Sequence, residues 1–300
     1  SVEISDEPFK MPSEDIKEYN YPKKPIAIIG FGPAGIFSAL RLVRAGFNVI
    51  VIERGKKVEE RQKDVARFFF SAILNTESNI QFGEGGAGTF SDGKLNTGVR
   101  SEYKDYVLYE FVKHKAPKEI LIDAKPHIGS DILPEVVKSL REEIIQCGGK
   151  LMFGAAVSDI TLKNGKVVEL TIKNDSQCNV IEVSDVILAI GHSSRDTYEM
   201  LSNKGIAMEA KDLAVGFRIE HLREDINLSQ FGKDIGIAAD YKLTSSVVGR
   251  GVFTFCMCPG GTVVPAASET GTVVTNGMSE FKRNKINSNS AVICQVGKED

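Results

Sequence analysis

The stretch IAIIGFGPAG, residues 26–35, decides the fold of this chain. It begins with four apolar residues, and the run ends at a glycine, as is typical of a buried parallel strand. Residues 33–45 then show the pattern of a helix with Pro33 in its first turn and a stop at Gly46. Residues 48–53 return to a strand pattern. The sequence therefore predicts a β-α-β unit of about 28 residues.

The turn of this unit has the spacing G-x-G-x-x-G, and each glycine has a physical task. Gly30 permits the tight turn out of the strand, Gly32 lets the backbone approach a pyrophosphate, and Gly35 lets the helix pack closely on the strand. Pro33 and Ala34 lie in the first turn, where free N–H groups and the positive end of the helix dipole favour phosphate. The motif predicts a dinucleotide site, against the alternative of a glycine-rich turn that binds nothing.

An acidic residue in the expected place supports the nucleotide interpretation. Glu53 ends the second strand, 18 residues after Gly35. A carboxylate there accepts hydrogen bonds from ribose hydroxyls and repels a 2′-phosphate, which argues against NADP at this site.

A second glycine-rich segment, QFGEGGAGTFSDGK at residues 81–94, contains five glycines. Such a loop exposes backbone N–H groups and can surround a second phosphate or a flat ring. The alternative is a flexible surface loop. Residues 150–190 show strand patterns with a hairpin turn at Asn164-Gly165, and residues 186–190 form a buried-strand pattern that ends at Gly191.

Composition excludes several classes of protein. The chain has 300 residues, 42% hydrophobic and 26% charged, with a net charge of −3, so it is not expected to bind nucleic acid. No apolar run is long enough to span a bilayer, and the first twenty residues are acidic and polar, which is not the pattern of a secretory signal. Five scattered cysteines favour a reducing environment, and we expect a cytoplasmic protein without membrane association.

Three regions are expected along the chain. Residues 1–23 are polar and proline-rich and are predicted to form an N-terminal arm; residues 24–210 are predicted to form the nucleotide-binding domain, and residues 211–300 a substrate domain. The chain starts without Met and ends in a polar stretch followed by a short apolar run, so the last domain is expected to be incomplete at its C-terminus.

The sequence resembles the glutathione-reductase-like FAD flavoproteins and, more narrowly, a bacterial and plastid family of uncharacterised FAD-dependent dehydrogenases. The resemblance covers roughly residues 24–280. It is carried by the motifs IGFGPAGI at 29–36, QFGEGGAGTFSDGK at 81–94, AKPHIG at 124–129, ILAIGHSSRDT at 187–197, FCMCPGG at 255–261 and NGM at 276–278.

This resemblance implies an α/β fold: a Rossmann-like FAD-binding domain with a parallel sheet and a β-meander, followed by a mixed α+β substrate domain. It implies FAD as cofactor, with NAD(P)H as a candidate electron donor. The residues that the resemblance assigns to FAD are Gly30, Gly32, Pro33, Ala34, Gly35, Glu53, Arg54, Arg61, Gly85, Gly86, Thr89, Ser91, Lys94, Val157, Ala189 and Gly191.

Within that assignment, Arg54 and Glu53 would hold the adenosine ribose, Arg61 would reach the phosphates, and Val157 would contact the adenine through its backbone. One expected feature is missing. Flavoproteins of this type have a later Gly-Asp segment whose helix meets the flavin, and none occurs before Asp300.

The candidates for chemistry are few. His192 follows Gly191 at a strand end, with Arg195 nearby, and could donate a proton or stabilise a negative flavin. The alternative is a histidine bonded in a structural turn. Cys256 and Cys258 would share one face of a strand, at the long limit for a disulfide. The default interpretation is small buried side chains, and the alternative is a redox or metal role. No metal site is expected.

Three functions follow from these observations. The first is an FAD-dependent oxidoreductase that acts on a small-molecule substrate, with electrons carried by the flavin. The second is an NAD-dependent dehydrogenase that uses the first glycine motif. The third is a non-catalytic flavin- or nucleotide-binding module.

Overall fold

The structure is a computed structural model that describes residues 19–99, 101, 103–174, 177–233 and 235–300. Most of the predicted N-terminal arm, residues 1–18, lies outside the described residues. The helices are α1 (Pro33–Arg44), α2 (Val58–Ser71), α3 (Tyr103–Lys113), α4 (Leu133–Gln146), α5 (Arg195–Asn203) and α6 (Arg223–Phe231), with 3₁₀ turns at Gly86–Phe90 and Lys118–Leu121.

The strands fall into parallel and antiparallel sheets. In chain order they are β1 (Ile26–Ile29), β2 (Val49–Glu53), β3 (Lys150–Phe153), β4 (Ala156–Lys163), β5 (Lys166–Asn174), β6 (Gln177–Glu182), β7 (Asp185–Leu188), β8 (Leu213–Leu222), β9 (Thr244–Val247), β10 (Arg250–Cys258), β11 (Thr262–Pro265), β12 (Thr275–Met278) and β13 (Asn287–Val296).

A four-stranded parallel sheet with the order β3-β2-β1-β7 organises the molecule. Alternate residues of its central strand enter two different cores. Ile28 packs with α1 and α4 on one face, whereas Ala27 and Ile29 pack with the antiparallel strands β4 and β5 on the other. Both faces are therefore covered, which explains why β1 is apolar at every position. The predicted β-α-β unit is confirmed.

The predicted meander is also present, as the three-stranded antiparallel sheet β4-β5-β6. Its first turn is Asn164-Gly165, and both residues have positive φ, 52° and 75°. A two-residue hairpin loop with two positive φ angles is the type I′ turn, which matches the twist of the paired strands.

The strand expected at residues 186–190 differs in extent and burial. It is β7, Asp185–Leu188, and it lies at the edge of the parallel sheet, where only β1 pairs with it. Its residues are half-buried or exposed, because one side of the strand has no neighbour in the sheet. Residues 189–191 continue as loop beyond its carboxyl end.

Residues 211–300 contain a second sheet, antiparallel, with the order β8-β13-β10-β9, and the short pair β11-β12. The fold is therefore α/β, with a parallel sheet and further antiparallel sheets. Within the described part of the chain, no helix has both the length and the apolar character needed to cross a membrane.

A cluster of charged side chains joins the helices α1, α3 and α4. Arg44 of α1 donates to Glu110 of α3 at 2.6 Å and to Glu143 of α4 at 2.6 Å. His114 lies 2.9 Å from the other oxygen of Glu143. Burial opposes ionisation of Glu143, but hydrogen bonds from Arg44 and Lys113 hold its pKa at about 2. Glu143 therefore contributes its ion pairs to stability only while its carboxylate is charged.

We expect Glu143→Gln to lower the free energy of unfolding by about 1–2 kcal/mol at pH 7. Because folding lowers the pKa of Glu143 from 4.5, its contribution is present above that value and is lost as the pH falls towards 2. The difference between variant and wild type should thus narrow from pH 5 to pH 3 in urea unfolding. Glu142→Gln, an exposed neighbour on α4, is the control, and a difference independent of pH would contradict this account.

Candidate functional site

A cavity of about 550 Å³ lies at the carboxyl end of the parallel sheet. Strands β1, β2 and β7 all end there, because parallel strands present their carboxyl ends at one edge. This edge, where neighbouring loops diverge, is the usual ligand site of such sheets. The cavity is lined by residues 29–34, 52–54, 81–83, 86–88, 155–157 and 188–194, together with Thr197, Tyr198 and Leu201.

The three glycines of the first motif are present for different reasons. Gly30 has φ +97°, and a Cβ there would lie 2.3 Å from the carbonyl oxygen of Ala189. A Cβ at Gly35 would lie 2.0 Å from the carbonyl oxygen of Gly30. Gly32 differs, because its Cβ would meet only Gly86 Cα, at 3.7 Å. Packing of the protein requires the first and third glycines, and leaves the second free to face the cavity.

The first turn of α1 also borders the cavity. Gly32 is its N-cap and has no side chain to bond the first N–H groups, Pro33 is the first helical residue, and Ala34 follows. There is no acidic side chain in this turn. The positive end of the helix therefore faces the cavity without a neutralising group, as in sites that bind phosphate.

Glu53 connects three backbone segments at the cavity wall. Its Oε2 accepts the N–H of Phe31 at 2.8 Å, and its Oε1 accepts the N–H groups of Gly55 at 2.8 Å and Gly83 at 3.0 Å. A carboxylate oxygen has two lone pairs, so Oε2 retains the capacity to accept one hydroxyl. Glu53 is only 5% exposed, and its charge is compensated by these three donors.

Arg54 lies beside it at the edge of the cavity. Its guanidinium forms ion pairs with Asp196, at the start of α5, and with Glu77 at 3.3 Å. The same group covers the ring of Phe82, with 4.7 Å between Cζ and the ring centre. Arg54 therefore joins α5 to the glycine-rich loop. Phe82 belongs to the motif at 81–94 and lines the cavity, although it was not among the residues assigned to FAD.

Arg61 is placed differently from the expectation that it reaches the phosphates. It is fully buried on α2 and does not line the cavity. It donates to four backbone carbonyls of residues 79–86, where the glycine-rich loop begins. The acceptors are Asn79 at 2.8 Å, Ile80 at 2.9 Å, Glu84 at 2.6 Å and Gly86 at 2.9 Å. Burial lowers the pKa of this guanidinium to about 10. Arg61 thus fixes the backbone conformation of residues 79–86 from the protein interior.

Glu84 is the second buried charge under this loop, and sequence reasoning missed it. Its Oε2 accepts the N–H of Val58 at 2.7 Å and an N–H of Arg141 at 2.6 Å. Burial raises the pKa of Glu84 to about 7, against the lowering effect of these two donors. An acidic residue between glycines was visible in the motif, but its partner on α4 is 57 residues away.

Most of the other loop residues assigned to the cofactor are engaged inside the protein. Gly86 lines the cavity, but Gly85 donates its N–H to Phe31 at 2.8 Å. The Thr89 hydroxyl bonds Glu84 at 3.4 Å, the Ser91 hydroxyl bonds Gly88 at 2.7 Å, and Lys94 bonds the Met257 carbonyl. The cavity therefore includes only part of this set.

The opposite wall combines the start of β4 with the loop after β7. Val157 and Ala189 contribute apolar surface, and Gly191, with φ +69°, turns the chain away. His192 follows at the rim, where its Nε2 lies 3.4 Å from the hydroxyl of Ser193. Arg195 does not line the cavity, because it points outwards, 66% exposed, to Glu269.

Tyr198 and Thr197 line the cavity from the first turn of α5. Thr197 ends the motif at 187–197 but was not assigned to the cofactor, and Tyr198 lies just beyond that motif. The Tyr198 hydroxyl donates to the carbonyl of Gly191 at 2.7 Å. A helix that follows a short loop after a strand end near the site is the signal that would have suggested them. Among the described residues, there is no group of three or more His, Cys, Asp or Glu side chains able to hold a metal ion.

Comparison with known families gives a match to the C-terminal part of the chain. Residues 212–300 match the family model described as "FAD-dependent protein, C-terminal domain-like". An "Uncharacterized protein" of Clostridium beijerinckii is 47% identical over 300 residues, which is 98% of this chain. The chain spans 54% of the length of that relative.

Solved structures of similar shape include flavin-dependent brominase Bmp2, a geranylgeranyl bacteriochlorophyll reductase-like protein of Thermoplasma acidophilum, and a 3-ketosteroid dehydrogenase of Rhodococcus jostii. The brominase is 15% identical with a TM-score of 0.47, over 92% of this chain and 56% of its own. The reductase-like protein is 13% identical with a TM-score of 0.41, over 85% and 56%. The dehydrogenase is 13% identical with a TM-score of 0.42, over 80% and 67%. Similarities at this level carry no information on function.

We expect Arg61→Met to destabilise the protein by roughly 3–5 kcal/mol, because four carbonyls lose a charged donor inside the protein. The loop of residues 79–86 should become sensitive to proteolysis before the rest unfolds. Denaturant unfolding and limited proteolysis measure the two effects. Arg67→Met, on the exposed side of the same helix, should change stability by about 0.5 kcal/mol or less. Equal effects of the two variants would contradict the assigned role.

Proposed function

We propose that this chain binds FAD, with the adenosine diphosphate half of the cofactor in the cavity at the end of the parallel sheet. We further propose that it acts as an FAD-dependent oxidoreductase on a small-molecule substrate, in the cytoplasm and without nucleic-acid or membrane partners. The observation that carries the proposal concerns Gly32, at the N-terminus of α1. No protein atom lies close enough to require a glycine there, and the helix has no side-chain cap. The match of residues 212–300 to an FAD-dependent family supports the choice of FAD.

The residues present fit such a group on three counts. Gly32 is a glycine that protein packing does not require, whereas close approach of a pyrophosphate does. The first turn of α1 offers N–H groups and positive potential without an acidic neighbour. The remaining lone pair on Glu53 Oε2 suits a ribose hydroxyl, and its negative charge disfavours a 2′-phosphate.

Each part of the cavity has a distinct task in this proposal. Gly32, Pro33 and Ala34 hold the pyrophosphate, and Glu53 orients the ribose. Val157, on a buried strand start, provides an apolar surface and a backbone group for the adenine. Arg54, fixed by Asp196 and Phe82, adds positive charge at the rim.

When bound, the flavin supplies hydride or electron transfer, and the protein supplies position and electrostatics. His192 lies at the rim in the loop after β7, with its Nε2 3.4 Å from the Ser193 hydroxyl, and it is the proposed proton donor. Arg195, which is paired with Glu269, is assigned no catalytic task here. NAD(P)H is the proposed source of electrons.

We expect Gly32→Ala to weaken FAD binding at least tenfold, about 1.4 kcal/mol, while stability stays within about 0.5 kcal/mol. Its φ of −76° is open to alanine, so the added methyl group meets the ligand rather than the protein. Quenching of flavin fluorescence and the visible absorption spectrum measure binding, and thermal unfolding measures stability. Gly98→Ala is the matched control, because a Cβ at Gly98 meets nothing within 4 Å.

The alternatives give different results in the same titrations. Saturable NAD binding without any FAD binding would favour an NAD-dependent dehydrogenase and overturn the assignment of the cofactor. Bound FAD that NADH, NADPH and other reductants leave oxidised under anaerobic conditions would favour a non-catalytic module. A chain that gains no flavin spectrum with excess FAD would overturn the binding proposal itself.

A further inference from the structure

Two cysteines of β10 lie at an irregularity of the second sheet. The register of β10 with β13 shifts between Phe255 and Cys258, and Cys256 has φ +47°. In a regular strand, residues i and i+2 are about 6.5–7 Å apart, near the limit for a disulfide. Here the left-handed residue interrupts the regular strand geometry, and Cys258 Sγ lies 3.4 Å from the carbonyl oxygen of Cys256. A left-handed conformation at a residue other than glycine is costly, and such strain concentrates at functional positions.

Positive charge approaches this pair from two other elements. Lys94 Nζ donates to the carbonyl of Met257, the residue between the cysteines. Arg218 of β8 donates to the carbonyl of Cys256 at 3.1 Å. Asp92 is the acidic neighbour, and it is already paired with Lys94 and with Arg283.

The pKa values of the two thiols are shifted in opposite directions. A hydrogen bond from Cys258 lowers the pKa of Cys256 to about 6, burial opposes it, and Lys94 and Arg218 lower it further. Its partner behaves in the opposite way, because the hydrogen bond with Cys256 and burial raise the pKa of the Cys258 thiol. These opposite shifts favour the thiolate at Cys256 and the thiol at Cys258, which is the division between an attacking and a resolving cysteine.

Gly277, Asn289 and Arg218 pack closely around the buried sulfur of Cys258. A Cβ at Gly277 would lie 2.8 Å from Cys258 Sγ, 2.3 Å from Asn289 Oδ1 and 2.7 Å from Arg218 Nη1. Asn289 is fully buried, and its Nδ2 has no hydrogen-bond partner. Arg218 Nε is likewise a buried donor without an acceptor. Unpaired buried donors are costly unless a ligand or a reaction intermediate uses them.

We propose that Cys256 and Cys258 form a redox-active dithiol that undergoes thiol–disulfide exchange with a low-molecular-weight disulfide. The Cys256 thiolate attacks one sulfur of the disulfide, which gives a mixed disulfide at Cys256 and releases one thiolate. The Cys258 thiol then loses its proton to solvent and attacks Cys256 Sγ, and a second thiolate leaves. The two cysteines are oxidised by two electrons to one disulfide, and the small disulfide is reduced to two thiols. This activity is independent of the FAD proposal.

The decisive measurement uses the reduced full chain in buffers with different ratios of reduced and oxidised glutathione. Trypsin cleavage after Arg250 and Lys282 leaves both cysteines, and no other cysteine, in one peptide. We expect the peptide from the native protein to become lighter by two hydrogen atoms in a reversible, two-electron transition. A peptide that stays in the dithiol form at every ratio would overturn the proposal.

Substitutions separate the two roles. Cys258→Ser removes the resolving thiol, so a glutathione adduct should accumulate at Cys256. Cys256→Ser should leave Cys258 unmodified at pH 7. Cys294→Ser, on the neighbouring strand β13, should behave as wild type. An adduct at Cys258 in the Cys256→Ser variant would reverse the assigned order and overturn it.

The wild-type protein gives a test that does not depend on any variant folding. Cys256 should be alkylated by iodoacetamide at pH 7 about tenfold faster than the exposed Cys178, with a rate that rises through a midpoint near pH 6. Equal rates at the two cysteines, or a midpoint above pH 8, would show an ordinary thiol and contradict the proposal.

Discussion

The carboxylate of Glu53 is the constraint on which the cavity depends. It accepts backbone N–H groups from the loop after β1, from the residues after β2, and from the glycine-rich loop. In the protein interior, Arg61 donates to four backbone carbonyls of residues 79–86, in and just before the glycine-rich loop. Two buried charges of opposite sign, satisfied almost entirely by backbone, thus hold a segment that has few apolar side chains of its own. Buried charges are costly unless fully bonded, so loss of either one leaves the loop without a defined shape.

Local patterns were sufficient to predict the parts of the fold that are set by neighbours in sequence. The β-α-β unit follows from an apolar run, a proline in the first helical turn and a glycine stop. The hairpin follows from the residue types Asn164-Gly165, which adopt the two positive φ angles of this turn. The motif predicts a dinucleotide site at the end of β1, which is where the cavity lies. The motif already gives its glycines different tasks, and the structure adds the atoms involved: a Cβ at Gly30 would meet the Ala189 carbonyl, whereas one at Gly32 would meet only Gly86 Cα.

Interactions between distant residues could not be predicted in this way. Arg61 and Arg44 are both arginines on amphipathic helices, yet one binds loop carbonyls and the other binds Glu110 and Glu143, 66 and 99 residues away. No spacing rule connects these residues, since their proximity results from packing α1, α3 and α4 together. The bulge at Cys256 could not be predicted from the sequence either. An extended pattern predicts that alternate side chains share one face, and a single residue with positive φ breaks that rule.

The position of β7 in the parallel sheet has a consequence for how the protein forms. Ser184, just before this strand, bonds Pro25 beside β1 across 159 residues of chain. Contacts at such separation form slowly, because a long loop must close before they yield any stabilisation. The cavity wall formed by Ala189 and Gly191 is therefore absent while the first strands, helices and glycine loop are already being synthesised. A nascent chain exposes the glycine turn first and completes the cavity only after β7 and the loop that follows it have left the ribosome.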